Sequence, residues 1–265
     1  MDTTKDKTGF INSSWFSILI IALCMVLGVV IYFNILGLPS NFLDGETKHK
    51  PANYLGMMYM GGYIVPFLIS FFLMVIVFSF ERGITIFAAY GRGSAAKFVR
   101  DVKISLLNKD LRQAEELCKK QQGSIGNVIY TGLQKFALIS QDNEMTRDQK
   151  SESLQKEIEE ATLLEMPALQ KNLNVLATLA SVATLVGLLG TVVGMIKAFA
   201  ALATAGSPDS QALATGISEA LFNTALGILT SAFANVAYNY ITTKIDELTS
   251  MLEEIGFAMQ QVIKK

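Results

Sequence analysis

Charge nearly vanishes from four stretches of this chain, residues 15–38, 61–80, 173–206 and 212–241. A helix of about 20 mostly apolar residues, rising 1.5 Å per residue, crosses the hydrocarbon core of a bilayer. Each stretch reaches that length. Hydrocarbon offers the backbone no water, so a lone spanning segment must satisfy its own hydrogen bonds, which predicts a helix at each position. The fold class that follows is an all-α integral membrane protein with about four transmembrane helices and long cytoplasmic helical extensions. Composition agrees: 17% of residues are charged, against about 25% in soluble domains. The apolar run at 16–38 outlasts the h-region of a signal peptide and no A-x-A-like site follows it, so the first stretch is predicted to be a retained helix.

Lysine and arginine orient the spans. Nine lie between residues 81 and 120, two in the loop 39–60 and none at 207–211. Because these residues favour the cytoplasmic face, residues 82–172 are expected inside and the two loops outside. Both termini are then inside, consistent with Lys5, Lys7, Lys244, Lys264 and Lys265. The predicted segments are a cytoplasmic N-terminus 1–14, a span 15–38, an external loop 39–60 and a span 61–81. A cytoplasmic helical domain 82–172, a span 173–206, an external turn 207–211, a span 212–241 and a cytoplasmic helix 242–265 complete the chain.

Within 82–172, Phe98, Val102, Leu106, Ala114 and Leu117 recur near a 3.6 period, predicting a helix 95–122 stopped at Gly123. A second helix is expected over 125–139 and a loop over 140–148. From Ser151 no strong breaker intervenes except Pro167, which kinks a helix at a cost of about 3 kcal/mol without forbidding it. One long helix is therefore expected from 151 to about Ala205, bent near Pro167. The chain should turn at Gly206-Ser207-Pro208-Asp209 and return as a helix to about Val262.

Several function classes have no residues to support them. Net charge is −1, with none of the basic surface that nucleic acid requires. Cys24 lies in an apolar stretch and Cys118 in a charged one, so neither a disulfide nor a metal set is expected. His49, the single histidine, stands between Lys48 and Lys50 in a polar loop and reads as solvated. No nucleophile–base motif or P-loop appears, so no enzyme, metal or cofactor is expected.

The chemistry lies in the last two spans. Thr184, Gly187, Thr191 and Gly194 follow at steps of three and four and share one helical face, with Gly190 completing a GxxxG. Leu185, Leu189, Val192 and Ile196 lie opposite. Small residues let membrane helices approach closely, so this face serves either simple packing or a pore. In the fourth span Glu219 stands among apolar residues. An ionised carboxylate at the bilayer centre costs at least about 2.5 kcal/mol and usually faces a bundle interior or water. Asn223, Gly227, Thr230, Ser231 and Ala234 continue its line, with Thr224 beside it. The stripe is either a hydrated path or a polar seam, and Glu219 either serves an ion or pairs structurally with Lys197.

The run from Leu176 to Phe199, with its Gly-Leu-Leu-Gly-Thr-Val core, closely resembles the second helix of the MotA/TolQ/ExbB proton-channel family. The run from Gly216 to Ile228, Gly-Ile-Ser-Glu-Ala-Leu-Phe-Asn-Thr-Ala-Leu-Gly-Ile, is similar to its third. The Glu81-Arg82 pair resembles the end of its first, and the likeness covers about residues 61–245. The resemblance implies that Thr191 and Thr224 match the family's pore threonines and Glu219 its intramembrane glutamate. It also implies a homopentamer in the bacterial inner membrane around a dimer of a single-span ExbD-like or TolR-like partner, acting on a TonB-like protein. Most similar is ExbB; a TolQ-like role and a non-conducting helical scaffold are the alternatives. Thr184 stands where the family usually has proline. The helix at 15–38 is extra to the usual three-span plan and is expected to pack outside the assembly.

Overall fold

The computed structural model describes residues 14–45, 50–142, 144–204 and 210–264. The expected N-terminal segment before Ser14, the loop position of His49 and the turn at 206–209 fall outside the described residues. Among these residues there is no strand, and four helices are long and apolar enough to cross a membrane. The protein is an all-α, multi-pass membrane protein. Its chain divides into one unit of residues up to 80 with 172–238, and a second of 81–171 with 239–265.

In the first unit, α1 (Ser14–Ile31) continues into a π-helical turn, Tyr32–Leu36. It buries one ridge at every fourth residue, Ile20, Cys24, Gly28, Tyr32 and Leu36, and leaves Leu19, Leu23 and Val26 exposed to the bilayer. Gly28 is where this ridge meets α3 (Val65–Tyr90). A Cβ there would stand 2.7 Å from Pro66 O, overlapping the turn that Ser70 Oγ closes by donating to the same oxygen.

The end of α1 is built by asparagines. Asn41 Nδ2 donates to the carbonyls of Ile35 and Leu36 at 2.7 and 3.0 Å, satisfying acceptors that a helix terminus leaves orphaned. Asn53 Nδ2 donates to Asn41 Oδ1, and Asn53 Oδ1 accepts from Gly56 N to cap α2 (Tyr54–Tyr59). The Tyr32 and Tyr59 rings stack at 4.7 Å, and the Tyr32 hydroxyl donates to Tyr59 O. The predicted loop 39–60 is thus locally ordered where it is described.

Three expected boundaries differ. The helix that carries the second span continues past Glu81-Arg82, as α3 to Tyr90. The helix predicted over 95–122 is two helices, α4 (Ala95–Leu107) and α5 (Leu111–Gln121). Lys109 takes a left-handed φ of 58° and the Asp110 side chain caps α5 by accepting from Gln113 N. Next comes α6 (Gly123–Gln141), slightly longer than the predicted 125–139.

The long helix expected from 151 to about 205 is also broken. It forms α7 (Arg147–Gln170), opened by a Thr146–Gln149 capping box, and α8 (Leu173–Thr204). The break is not at Pro167, which the last turn of α7 accommodates, but at Asn172, whose φ is 61°. Asparagine is among the few residues that tolerate this region. Last, α9 (Ser210–Lys264) is continuous.

The second unit packs α4 to α7 against the C-terminal part of α9 around Val102, Ile125, Leu133, Leu154, Leu252 and Met259, all buried. Arg82 is 1% exposed within it. Its guanidinium pairs with Glu81 through Nε and Nη2 and donates from Nη1 to Ala168 O at 2.9 Å. That donation caps the C-terminus of α7, where a cation also complements the helix dipole.

Cys118 lies on the buried face of α5 and is 3% exposed. Burial, with Glu115 adding to it, pushes its thiol from 9.0 up to about 12. The thiolate is therefore a trace species at pH 8, and thiolate is the reacting form. In a variant lacking Cys24, maleimide at pH 8 is expected to leave the native protein unlabelled and to label Cys118 fully once it is denatured. The same shift stabilises the fold below pH 9 and loses that contribution as pH rises toward 12, because the unfolded thiol ionises first. Rapid native labelling would show that the face opens readily.

Candidate functional site

The small face of α8 packs into α9. A Cβ added at Gly187 would stand 2.9 Å from Asn223 O and 3.0 Å from Gly227 Cα. At Gly194 it would stand 2.8 Å from Gly216 O, and at Gly227 2.7 Å from Ala183 O. Gly190 leaves room for the Asn223 side chain, which a Cβ there would meet at 2.4 Å. Gly187, Gly190, Gly194 and Gly227 therefore line the contact between the two helices, not a lumen within this chain. Opposite them, Leu185, Leu189, Val192 and Ile196 are all more than half exposed, so the two-faced division read from the sequence is present.

At the edge of this contact the two threonines meet. The hydroxyls of Thr191 and Thr224 hydrogen-bond to each other. Each also approaches Gly187 O at 3.4 Å, and Thr191 Oγ1 lies 3.4 Å from Ala220 O. Both are only partly buried, so the pair opens on the chain's surface. Hydroxyls both donate and accept, so the pair can exchange partners with water or with a neighbouring group without holding a fixed charge. Thr184 lies two turns away on the same face of α8, partly buried, and does not join the pair.

The polar line from Glu219 is a seam. Asn223 is fully buried and donates from Nδ2 to Gly61 O at 2.9 Å; Ser231 donates to Ala180 O and Thr230 to Leu226 O. Glu219 is 6% exposed, and Lys197 Nζ reaches its Oε1 at 2.6 Å. Of the two roles left open for Glu219, the pairing with Lys197 is present. A charge brought out of water is costly unless it is paired, so each of these groups makes the other tolerable at this depth.

Sequence reasoning missed the Gly61-Gly62 turn that opens the second span. Gly62 has a φ of 74°, and a Cβ on it would lie 2.4 Å from Glu219 Oε1. Two adjacent glycines before a hydrophobic run were the available signal. Gly62→Ala is expected to destabilise the protein by at least about 1–2 kcal/mol from the left-handed backbone alone and to displace the Glu219 carboxylate. Thermal unfolding in detergent reads the first effect; unchanged stability would mean the turn relaxes freely. Among the described residues no group of three His, Cys, Asp or Glu is placed to hold a metal ion.

This geometry defines a class: a multi-pass helical membrane protein whose last two spans pack through glycines and present a hydroxyl pair beside a buried ion pair. A sequence model of the MotA/TolQ/ExbB proton channel family matches residues 120–254. The Tol-Pal system protein TolQ of Haemophilus influenzae is 31% identical over 156 residues, covering 54% of this chain and 68% of that protein. TolQ of Pseudomonas aeruginosa is 31% identical over 159 residues, 60% of this chain and 68% of that protein. The biopolymer transport protein ExbB of Pseudomonas putida is 29% identical over 135 residues, 51% of this chain and 40% of that protein. The chain belongs to the MotA/TolQ/ExbB proton channel family.

Proposed function

We propose that this chain is an ExbB-like subunit of a proton-driven motor in the bacterial inner membrane, with both termini and residues 82–172 cytoplasmic. Five copies would close around a pair of single-span ExbD-like or TolR-like partners, turning the Thr191 and Thr224 hydroxyls toward them. A proton moving down the potential releases about 2.3 kcal/mol per 100 mV. Protonation and release of a partner aspartate would then shift the partner and pass work to a TonB-like protein. The chain supplies the hydroxyl path and the brace, the partner the titrating acid, so alone it would conduct little. The observation that carries this reading is the threonine pair, joined by a hydrogen bond yet open at the surface of the two packed spans.

The extra helix α1 would stand outside such a ring. It packs with α3 through Tyr32, Leu36, Val65 and Ile69, and Leu226 of α9 lies against that cluster. Leu226 is two residues, about 200° of helical rotation, from Thr224, so the hydroxyl faces away from α1. A TolQ-like role in envelope maintenance is a second reading, favoured by the two TolQ relatives. A non-conducting scaffold is the third. Proton flux into liposomes carrying the chain and its partner separates motor from scaffold. Flux unchanged when Thr191, Thr224 and Glu219 are replaced together would favour the scaffold.

A further inference from the structure

The seam holds one acceptor that the chain does not satisfy. Asn223 is fully buried, and while its Nδ2 donates to Gly61 O, its Oδ1 has no hydrogen-bond partner. That oxygen lies against Gly61, where a Cβ would be 3.5 Å from it. The adjacent Gly62 lies against Glu219 Oε1 and Lys197 Nζ, 2.4 and 3.5 Å from its Cβ position. Glu219 and Asn223 are four residues apart on one face of α9, so a carboxylate oxygen and an unpaired amide oxygen border the same dipeptide. Carboxylate, carboxamide and backbone carbonyl oxygens are the ligands that small hard cations take. The cation present is an ammonium: Lys197 Nζ lies 2.6 Å from Glu219 Oε1.

We propose that Glu219, Asn223 and the Gly61-Gly62 turn form a Na⁺-type cation site that Lys197 fills from within, and that Lys197 is thereby the residue that keeps the pathway selective for protons. The inference rests on the pathway reading above and deepens it by naming what excludes the competing ion. Lys197 enters from the open side, its side chain 49% exposed against 7% for Glu219, so its apolar stem spans from surface to seam. A tethered group acts at an effective concentration of about millimolar, and here it arrives with its charge already matched to the carboxylate. A proton needs no vacated oxygen cage and passes along hydroxyls; Na⁺ needs the Glu219 oxygen that Lys197 holds. Removing the ammonium while keeping the side-chain volume, as in Lys197→Met, frees that oxygen beside the already unpaired Asn223 Oδ1.

The test titrates NaCl into the purified full chain in nanodiscs, followed by calorimetry and ²³Na relaxation. Saturable Na⁺ binding is expected in Lys197→Met, and absent from the native protein, from Lys197→Arg, which keeps the charge, and from Lys197→Met combined with Glu219→Gln. A second arm measures proton flux in liposomes holding the chain with its partner. Replacing choline by Na⁺ leaves native flux unchanged and slows Lys197→Met by at least about fivefold, the lower end of a typical coupling between two sites. Lys197→Gln takes the same place if methionine disturbs the oligomer. A correctly assembled variant lacking the ammonium that binds no Na⁺, or a native protein that binds it equally well, overturns the proposal. The binding arm needs no transport, so it stands apart from a failure of the threonine pathway, which would show as native-level flux in Thr191→Val and Thr224→Val.

Discussion

Thr224→Val is expected to reduce proton flux to the background of liposomes without the channel, with oligomer size and yield unchanged. Valine keeps the branched shape at Cβ, so the packing of α9 on α8 survives. The hydroxyl is what disappears, and with it the bond to Thr191 and the donor facing Gly187 O. Interhelical hydrogen bonds in membranes contribute only about 0.6 kcal/mol on average. The glycine contacts at 187, 194 and 227 hold the helices together without it, so stability should fall by less than about 1 kcal/mol. Thr224→Ser restores an exchangeable hydroxyl and should restore part of the flux. Thr191→Val should match Thr224→Val because either change leaves the other hydroxyl without its partner. If Thr224→Val instead dissolves the oligomer while monomers keep their fold, the pair is a packing element and the pathway reading falls.

Spacing along a helix is a local property, so the chain alone put Thr191 on the small face of the third span and Thr224 beside the polar line of the fourth, while their pairing was implied only by the family resemblance. The same holds for the four spans, since exclusion of charge over about 20 residues is decided by the bilayer and not by tertiary contacts. The polar line from Glu219 was visible too, but its meaning was not. Whether Asn223, Thr230 and Ser231 line water or a seam depends on Gly61, Leu226 and Ala180, and two of those partners are far away in sequence. The broken helices were lost for another reason. At Lys109 and Asn172 a single residue in the left-handed region stops a helix, and neither lies at a glycine or proline. Asp110 carried a capping signal that the apolar period on both sides obscured. Pro167 drew the expected bend five residues early, since a proline near the end of a helix removes one bond but need not reorient the chain.

What makes the break at Asn172 tolerable is Arg82, and the strongest stability effect is expected there. Ending α7 at Gln170 leaves carbonyls without amide partners. Arg82 Nη1 donates to Ala168 O at 2.9 Å and reaches Leu169 O at 3.5 Å, while Nε donates to Glu81 at 2.6 Å. Arg82→Ala removes the cap and takes the guanidinium away from the Glu81 carboxylate, whose side chain is 10% exposed. Removing one partner of a buried ion pair costs about 3–5 kcal/mol. The second unit, 81–171 with 239–265, should therefore unfold at markedly lower denaturant, with trypsin cutting early at Lys171. Arg82→Lys keeps the charge but loses the planar fork that serves two partners at once, and should recover only part of the loss. Glu81→Gln removes the carboxylate charge that faces Arg82, so adding it to Arg82→Ala should relieve the double variant relative to Arg82→Ala alone. Additive penalties would show that the two side chains act independently and that capping by itself sets the end of α7.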